Sequence, residues 1–227
     1  MLAEKLLKPP SAVANYIEDV FSTYLYTGNG TSQTITNGID LAGEVGGTAY
    51  DPASRTWRQI DLANGSFGQG VAVTQIQLAT AFSAMVNGGT LVQPHVVQAI
   101  NGTPLTVASR GRVMTEATSK RLTQLMRHVI QTVPFYRNRT LVPGFDVGGK
   151  TGTAQIWRPR LGRYSARTFN FSFEGYVGGD EPEALISVRI EEAKSLTREQ
   201  GMVSINITSY ELFRRIAMNA IATLGIA

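Results

Sequence analysis

The stretch Gly148-Gly149-Lys150-Thr151-Gly152-Thr153-Ala154-Gln155 decides the fold prediction, because its composition is unusual for a strand. Strand interiors favour β-branched and aromatic residues, whereas glycine there costs backbone entropy and marks a close approach of a ligand or a second backbone. Lys150 offers a compact positive charge, and Thr151 and Thr153 offer hydroxyl groups. Two interpretations are open at this point: a strand edge that receives an anionic ligand, and a glycine-rich turn with a solvated lysine.

The sequence after this stretch predicts an antiparallel meander. The first strand runs through the stretch to about Trp157, and residues 158–163 form the hairpin tip. Phenylalanines that alternate with polar residues predict a second strand over residues 166–177, and a glycine-rich turn leads to a third strand over residues 184–192. A long C-terminal helix has apolar residues along one face and is expected to pack on this sheet. The fold class is therefore α/β, of the α+β type, with helices flanking an antiparallel sheet.

The first half of the chain contains one strongly signalled helix. Thr74 and Gln77 make a capping box, and the apolar residues that follow lie nearly all round the helix, which predicts burial. Asn87-Gly88-Gly89 ends this helix with residues that tolerate a left-handed backbone. Short strands are predicted over residues 91–100 and 105–107, on either side of the turn Asn101-Gly102.

Two further helices are predicted. One opens at Ser11, after a terminus or linker at residues 1–10. The other follows Thr115, ends at Pro134, and is followed by a connector over residues 138–145. Its apolar residues recur at helical spacing, and the stripe expected to be buried is Leu122, Leu125, Met126, Val129 and Ile130.

The composition excludes several function classes. The chain has 227 residues, of which 43% are hydrophobic and 17% charged, as in a globular protein with a core. The net charge of +4 is not gathered into a basic run with aromatic residues, so we expect no nucleic-acid partner. Without cysteine, and with His95 and His128 far apart, we expect no metal and no cofactor. No apolar run reaches the roughly 18 residues of a membrane span, so a membrane anchor is expected outside this chain.

Several motifs together resemble those of a known family. Residues 149–154 resemble the Lys-Thr-Gly box of penicillin-binding proteins and serine β-lactamases. Residues 38–44 are similar to the "GIDLPGE" stretch of class B penicillin-binding proteins. Residues 66–70, followed by 73–79, are similar to their "SFGQG" and "VTPLQLA" stretches. Residues 173–176 match the strand that follows the box.

The resemblance implies the penicillin-binding-protein/serine β-lactamase-like fold, with a five-stranded antiparallel sheet. It implies a peptidoglycan D,D-transpeptidase, whose serine attacks the D-Ala-D-Ala amide of a stem peptide. The amine of a second stem peptide then resolves the acyl-enzyme, and β-lactams acylate the same serine. The implied partners are stem peptides and β-lactams, and the implied location is the extracytoplasmic face of the bacterial cell membrane.

The three boxes of such enzymes are Ser-x-x-Lys, Ser-x-Asn and Lys-Thr-Gly. No serine of the 227 residues is followed by a lysine three positions later. Ser195-Leu196-Thr197-Arg198 comes closest, but arginine stays protonated and cannot act as a base. Ser204-Ile205-Asn206 lies after Lys150 and is interpreted as a coincidence next to the terminal helix. We therefore expect residues 11–227 to be the C-terminal portion of one transpeptidase domain, inactive without the N-terminal portion that carries the nucleophile, with the domain incomplete at its N-terminal side.

The resemblance also implies a role for each residue of the box. Lys150 holds positive potential beside the nucleophile and the substrate carboxylate, and the Thr151 and Thr153 hydroxyls bind that carboxylate. The backbone N–H of Thr153 is one oxyanion donor, and two glycines let the substrate lie alongside as an added strand. The predicted site thus has catalytic residues Lys150 and Thr153 and substrate-binding residues Gly149, Thr151, Gly152, Thr153 and Gln155.

Two alternatives stay open. The chain could be a non-catalytic binding or assembly module that keeps the fold. It could also be a β-lactamase fragment, although the stretches at residues 38–44 and 66–70 follow the transpeptidase pattern and no additional deacylating carboxylate is evident.

Overall fold

The structure is a computed structural model that describes residues 34–48, 72–194, 196–197, 203–204 and 208–226. The chain divides into two compact units, Met1–Glu116 and Ala117–Ala227. The helix predicted from Ser11 and the stretch at residues 66–70 lie outside the described residues, and the domain assignment of residues 11–227 stays a prediction.

The described part of the first unit combines a helix with short strands: β1 (Thr34–Ile35), β2 (Gly47–Thr48), α1 (Gln75–Val86), β3 (Thr90–Val92), β4 (Ala99–Ile100), β5 (Thr103–Pro104) and β6 (Ser109–Arg112). The strands form antiparallel pairs, β1 with β2, β3 with β6, and β4 with β5.

The capping box of α1 is confirmed. The Thr74 hydroxyl accepts a hydrogen bond from the Gln77 backbone N–H, and the Gln77 side chain accepts one from the Thr74 backbone N–H. The helix ends at the predicted glycines, where Gly88 and Gly89 have φ angles of 87° and 93°. A Cβ at Gly89 would overlap the backbone carbonyl of Met114, so both the turn and the close packing require glycine there.

The turn Asn101-Gly102 is also confirmed, with φ angles of 50° and 81° at its two residues. The extents of both predicted strands are wrong: residues 91–100 are divided between β3 and β4, and residues 105–107 are not a strand. A two-residue turn with positive φ at both positions places residues 103 and 104 directly opposite 100 and 99, so β5 forms immediately after the turn.

Two carboxylates hold the segment at residues 37–44. Glu44 accepts hydrogen bonds from the backbone N–H groups of residues 37–39 at 2.5–3.2 Å. Asp40 accepts from the backbone N–H groups of residues 96–97 at 2.7 and 2.8 Å, and these bonds lower the pKa of Asp40. Both acidic residues of this motif therefore have a structural function: Glu44 holds the segment's own backbone, and Asp40 ties the segment to the chain after β3.

The second unit contains the predicted meander and three helices among its described residues: α2 (Glu116–Thr132), α3 (Pro134–Thr140), β7 (Val147–Arg158), β8 (Arg163–Val177), β9 (Ala184–Lys194), β10 (Leu196–Thr197), β11 (Val203–Ser204) and α4 (Ser209–Leu224). The sheet has the order β7-β8-β9 and is antiparallel throughout. The described sheet thus has three strands, where the resemblance implied five.

Helix α4 packs on this sheet, as predicted. Phe213 and Ala217 of α4 are fully buried, and the rings of Phe213 and Phe173 lie 4.8 Å apart between centroids. The helix begins with a capping box of Thr208 and Glu211. The core of the unit combines this helix face with residues of all three long strands.

The buried stripe predicted for α2 is only partly correct. Ile130 is buried, but Leu125 and Val129 are 43% and 39% exposed. The buried face includes Ser119 and Thr123 instead, and the Thr123 carbonyl accepts a 2.7 Å hydrogen bond from the buried Tyr176 hydroxyl. Small side chains on α2 leave room for the large Tyr176 ring. A stripe predicted from hydrophobicity alone therefore coincides only in part with the buried face.

The connector predicted at residues 138–145 begins later than expected. Pro134 ends α2 but also occupies the first turn of α3, where its missing N–H costs nothing. The rings of Phe135 and Tyr136 each pack edge to face on Tyr210 of α4, with centroids 5.6 and 5.5 Å away. These tertiary contacts stabilise a seven-residue helix that its own sequence does not signal.

Candidate active site

The box at residues 149–154 lies within β7, so it is a strand and not a glycine-rich turn. One edge of β7 pairs with β8, where Lys150 is opposite Glu174 and Thr153 is opposite Phe171. The other edge of β7 has no strand partner among the described residues. In the described part of the chain, the box therefore lies along an open sheet edge, which can accept a further extended chain.

The polar groups of the box are close together along this strand. Lys150 is exposed, and its Nζ donates a 2.7 Å hydrogen bond to the carbonyl of Thr151. Thr153 and Gln155 are also exposed, whereas Thr151 is half-buried. The Thr151 hydroxyl lies 3.4 Å from the Tyr136 hydroxyl of α3. The structure thus places the predicted cation and hydroxyl groups within four residues of one strand.

The glycines of the strand have a packing role. A Cβ at Gly148 would overlap the ring of Tyr176, and a Cβ at Gly149 would overlap both the Phe173 ring and the Glu174 backbone carbonyl. At Gly152 the overlap is with the Ser172 hydroxyl alone, the end of a small side chain that can rotate. Gly148 and Gly149 are therefore required by the core, while Gly152 is half-buried and faces fewer constraints.

Glu174 is the unusual residue next to the box. Its side chain is 5% exposed, although it lies in an otherwise apolar run of β8. The Ser187 hydroxyl donates a 2.8 Å hydrogen bond to Oε1, and Oε2 has no hydrogen-bond partner among the described residues. Burial raises the pKa of Glu174 to about 7, against the smaller opposite effect of the Ser187 hydrogen bond.

Ion pairs lie at both ends of the sheet. Arg127 contacts Asp146 and Asp180 at 3.0 and 2.7 Å, beyond the start of β7. Arg158 contacts Glu192 at 3.1 Å near the hairpin tip. An open groove of about 920 Å³ is lined by residues around Val142–Asp146 and Gly178–Gly179, and none of the predicted site residues lines it. The candidate site is thus an open strand edge and not this groove.

Within the described ranges, no three His, Cys, Asp or Glu side chains come together in a way that could hold a metal ion. No helix of the described ranges is both long and apolar enough to cross a bilayer.

Two features identify the class of this protein: the open strand that carries the Lys-Thr-Gly box, and the three-stranded meander on which α4 packs. The family model described as penicillin binding protein transpeptidase domain matches residues 18–212. The chain belongs to this family, as the resemblance to class B penicillin-binding proteins implied.

Particular relatives cover most of this chain. Stage V sporulation protein D of Bacillus subtilis is 33% identical over 196 residues, which are 83% of this chain and 29% of that protein. The probable peptidoglycan D,D-transpeptidase PenA of Neisseria gonorrhoeae is 31% identical over 175 residues, 76% of this chain and 28% of that protein. The chain therefore spans less than a third of the length of these curated relatives.

Solved structures agree with the fold. The apo form of penicillin-binding protein 3 from Mycobacterium tuberculosis has a TM-score of 0.73 at 25% identity, with 92% of this chain and 46% of that chain covered. The predicted fold, the penicillin-binding-protein/serine β-lactamase-like fold, is confirmed.

Sequence reasoning missed two residues beside the box. Tyr136 approaches Thr151 from α3, a helix that the sequence does not signal. Glu174 had a signal, since an acidic residue within the apolar run at residues 173–177 is uncommon in a buried strand.

Proposed function

We propose that this chain forms the substrate-binding wall of a serine-type peptidoglycan D,D-transpeptidase. The observation that carries the proposal is the position of Lys150, Thr151 and Thr153 along the open edge of β7, in a chain of the penicillin-binding protein transpeptidase family. An open strand edge with a cation and hydroxyl groups suits an extended peptide that ends in a carboxylate, as D-Ala-D-Ala does, and suits the carboxylate of a β-lactam.

Lys150 supplies the positive potential of this wall. Its ammonium group is exposed and bonded to a neutral carbonyl, and no carboxylate among the described residues pairs with it. A substrate carboxylate that replaced water beside Lys150 would gain a charge-assisted interaction. The Thr153 hydroxyl is exposed three residues further on and would complete the carboxylate site, with Thr151 nearby.

The backbone of Thr153 would supply one oxyanion donor. The Thr151 carbonyl accepts from Lys150 Nζ, and residues two apart in a strand direct their backbone groups toward the same edge. The N–H of Thr153 would therefore point toward the same edge of β7 as the Thr151 carbonyl. A donor there stabilises the negative oxygen that develops when the amide or lactam carbonyl is attacked.

The remaining predicted residues would guide the peptide along the strand. Gly152 is half-buried and Gln155 exposed, so both can lie beside a substrate chain that adds to β7. Gly149 is buried against Phe173 and would contribute mainly by keeping the strand close to the core.

The nucleophile would come from a polypeptide segment with a Ser-x-x-Lys sequence, which residues 1–227 do not contain. Its serine would attack the D-Ala-D-Ala carbonyl, and its lysine would accept the serine proton. We place this segment in the N-terminal portion of the same transpeptidase domain. The assembled enzyme would act at the extracytoplasmic face of the bacterial cell membrane, through an anchor outside this chain.

Acylation by a fluorescent penicillin tests the proposal. The complete natural polypeptide that contains this chain is expected to become labelled, and Lys150→Ala is expected to slow labelling roughly 100-fold or more, because the charge beside the carboxylate is lost. Lys120→Ala, at an exposed position of α2, is the matched control and should label at the normal rate. Equal labelling of Lys150→Ala and Lys120→Ala would contradict the role of Lys150.

A second candidate is a non-catalytic binding or assembly module, which the missing Ser-x-x-Lys pattern favours. In that case a β-lactam would bind reversibly without a covalent adduct. Denaturing gel electrophoresis separates the two functions, since only an acyl-enzyme keeps its label.

A further inference from the structure

A row of three residues crosses the sheet at the level of Lys150. Lys150 on β7 lies directly opposite Glu174 on β8, and Glu174 lies directly opposite Ser187 on β9. Directly opposite residues of an antiparallel pair project from the same face, with their Cβ atoms about 5 Å apart. The flexible lysine side chain is longer than this separation, so its ammonium group can approach the Glu174 carboxyl.

Only half of the Glu174 carboxyl is satisfied. Oε1 accepts from the Ser187 hydroxyl at 2.8 Å, while the buried Oε2 has no hydrogen-bond partner among the described residues. A buried acceptor without a donor is costly and attracts any donor within reach. Lys150 is the nearest cation by strand register, and its present partner is a neutral carbonyl.

Two arginines on neighbouring elements are already paired. On β9, Arg189 projects from the same face and contacts Glu191 at 3.0 Å. On α2, Arg127 contacts Asp146 and Asp180. Within β8, burial raises the pKa of Tyr176 to about 12, so that side chain stays neutral. Lys150 thus remains the cation most able to respond to the state of Glu174.

We propose that Glu174 is a positioning residue that acts through Lys150: its unpartnered oxygen draws the ammonium group back along the sheet and limits the positive charge at the open edge of β7. The effect on substrate rests on the proposed function. When Glu174 is protonated, Lys150 presents its full charge to an incoming carboxylate. When Glu174 is ionised, the two side chains attract each other and the carboxylate competes with Glu174.

The direction of the pH effect follows from the burial of Glu174, which places its pKa near 7. Acidification through this range neutralises Glu174 and favours anionic ligands at β7. A pH above this range ionises Glu174 and disfavours the binding of anionic ligands at β7. The substitution Glu174→Gln keeps the size of the side chain and removes the carboxyl group that titrates.

The first experiment compares acylation by a fluorescent penicillin in the complete natural polypeptide and its Glu174→Gln variant. The ratio of the variant rate to the wild-type rate is expected to be near 1 at pH 5.5 and about 5 at pH 8.5, a factor typical of one charge a few ångströms away. Taking the ratio cancels other groups that titrate. Glu181→Gln, an exposed position on the turn before β9, removes the same charge and should give a flat ratio. A flat ratio for Glu174→Gln as well would overturn the proposal.

The second experiment does not depend on acylation. The side-chain carboxyl ¹³C signal of Glu174 is titrated by NMR in the same polypeptide and in Lys150→Ala. Loss of the neighbouring cation is expected to raise the midpoint by about half a pH unit or more, and an unchanged midpoint would overturn the proposal. If no form acylates while the midpoint still moves, the proposed function fails and the coupling of Glu174 to Lys150 stands.

Discussion

At the scale of single residues, the glycines of the box differ in whether their surroundings leave room for a Cβ atom. Gly149 lies against the Phe173 ring and the Glu174 backbone, while Gly152 lies against the Ser172 hydroxyl only. From the sequence alone, one interpretation of these glycines is that they make room for a ligand. The contacts show that part of the box is adapted to a core that packs directly on the strand.

This difference gives a stability prediction. Gly149→Ala should lower the free energy of unfolding by about 2 kcal/mol, because the added methyl group meets a buried ring and a backbone carbonyl that cannot both move. Gly152→Ala should change it by less than about 0.5 kcal/mol, because the serine hydroxyl can rotate away. Urea unfolding of both variants measures the effect, and equal destabilisation would show that the packing at Gly149 is not the cause.

Glu174 predicts a pH dependence of stability. Its carboxyl has a pKa of about 7 in the folded chain against 4.5 ordinarily, so between these values the folded chain holds a proton that the unfolded chain releases. The free energy of unfolding therefore falls as the pH rises from about 4.5 to 7, by up to roughly 3 kcal/mol from this group.

Urea midpoints measured from pH 4.5 to 8 test this assignment. Glu174→Gln should be close to wild type at pH 4.5 and clearly more stable at pH 8, while the exposed Glu181→Gln should follow the wild-type curve. If Glu174→Gln keeps the wild-type pH dependence, another group is responsible for it.

At the scale of elements, the strands of the meander and the capping box of α1 could be predicted, because periodicity, turn glycines and cap residues are local signals. The buried face of α2 and the existence of α3 could not. Tyr176 selects Thr123 and Ser119 on α2, and Tyr210 receives the rings of α3. Both depend on partners more than 50 residues away in the sequence, which no local pattern contains.

For the candidate site, the sequence correctly placed Lys150, Thr151 and Thr153 on one strand, because the box and the alternation of the next strand are local patterns. It did not indicate the hydroxyl of Tyr136 beside Thr151, or the register that sets Glu174 opposite Lys150. A register depends on how two strands pair and is not contained in either strand alone.

The packing of α4 on the sheet gives the element-scale prediction. Phe213→Ala should cost about 3–5 kcal/mol, because this fully buried ring contacts Phe173 and its loss leaves a cavity under β8. Met218→Ala on the same helix is the control, since Met218 is 47% exposed and should change stability by less than about 1 kcal/mol. Thermal unfolding of the two variants measures both, and a small effect of Phe213→Ala would mean that α4 does not form the core of the unit.

At the scale of the whole molecule, the chain belongs to the penicillin-binding protein transpeptidase family and spans 29% of the length of its Bacillus subtilis relative. It contains the Lys-Thr-Gly box but no serine followed three positions later by lysine. We therefore propose that one active site combines a substrate-binding strand in this chain with a nucleophile outside residues 1–227.

The position of a penicillin adduct tests this division most directly. The complete natural polypeptide is acylated with a penicillin, digested, and the modified peptide is identified by mass spectrometry. The account predicts that the adduct lies on the serine of a Ser-x-x-Lys sequence outside residues 1–227, and that Lys150→Ala strongly reduces its yield. An adduct on any residue within 1–227 would contradict the proposal that the nucleophile lies outside these residues.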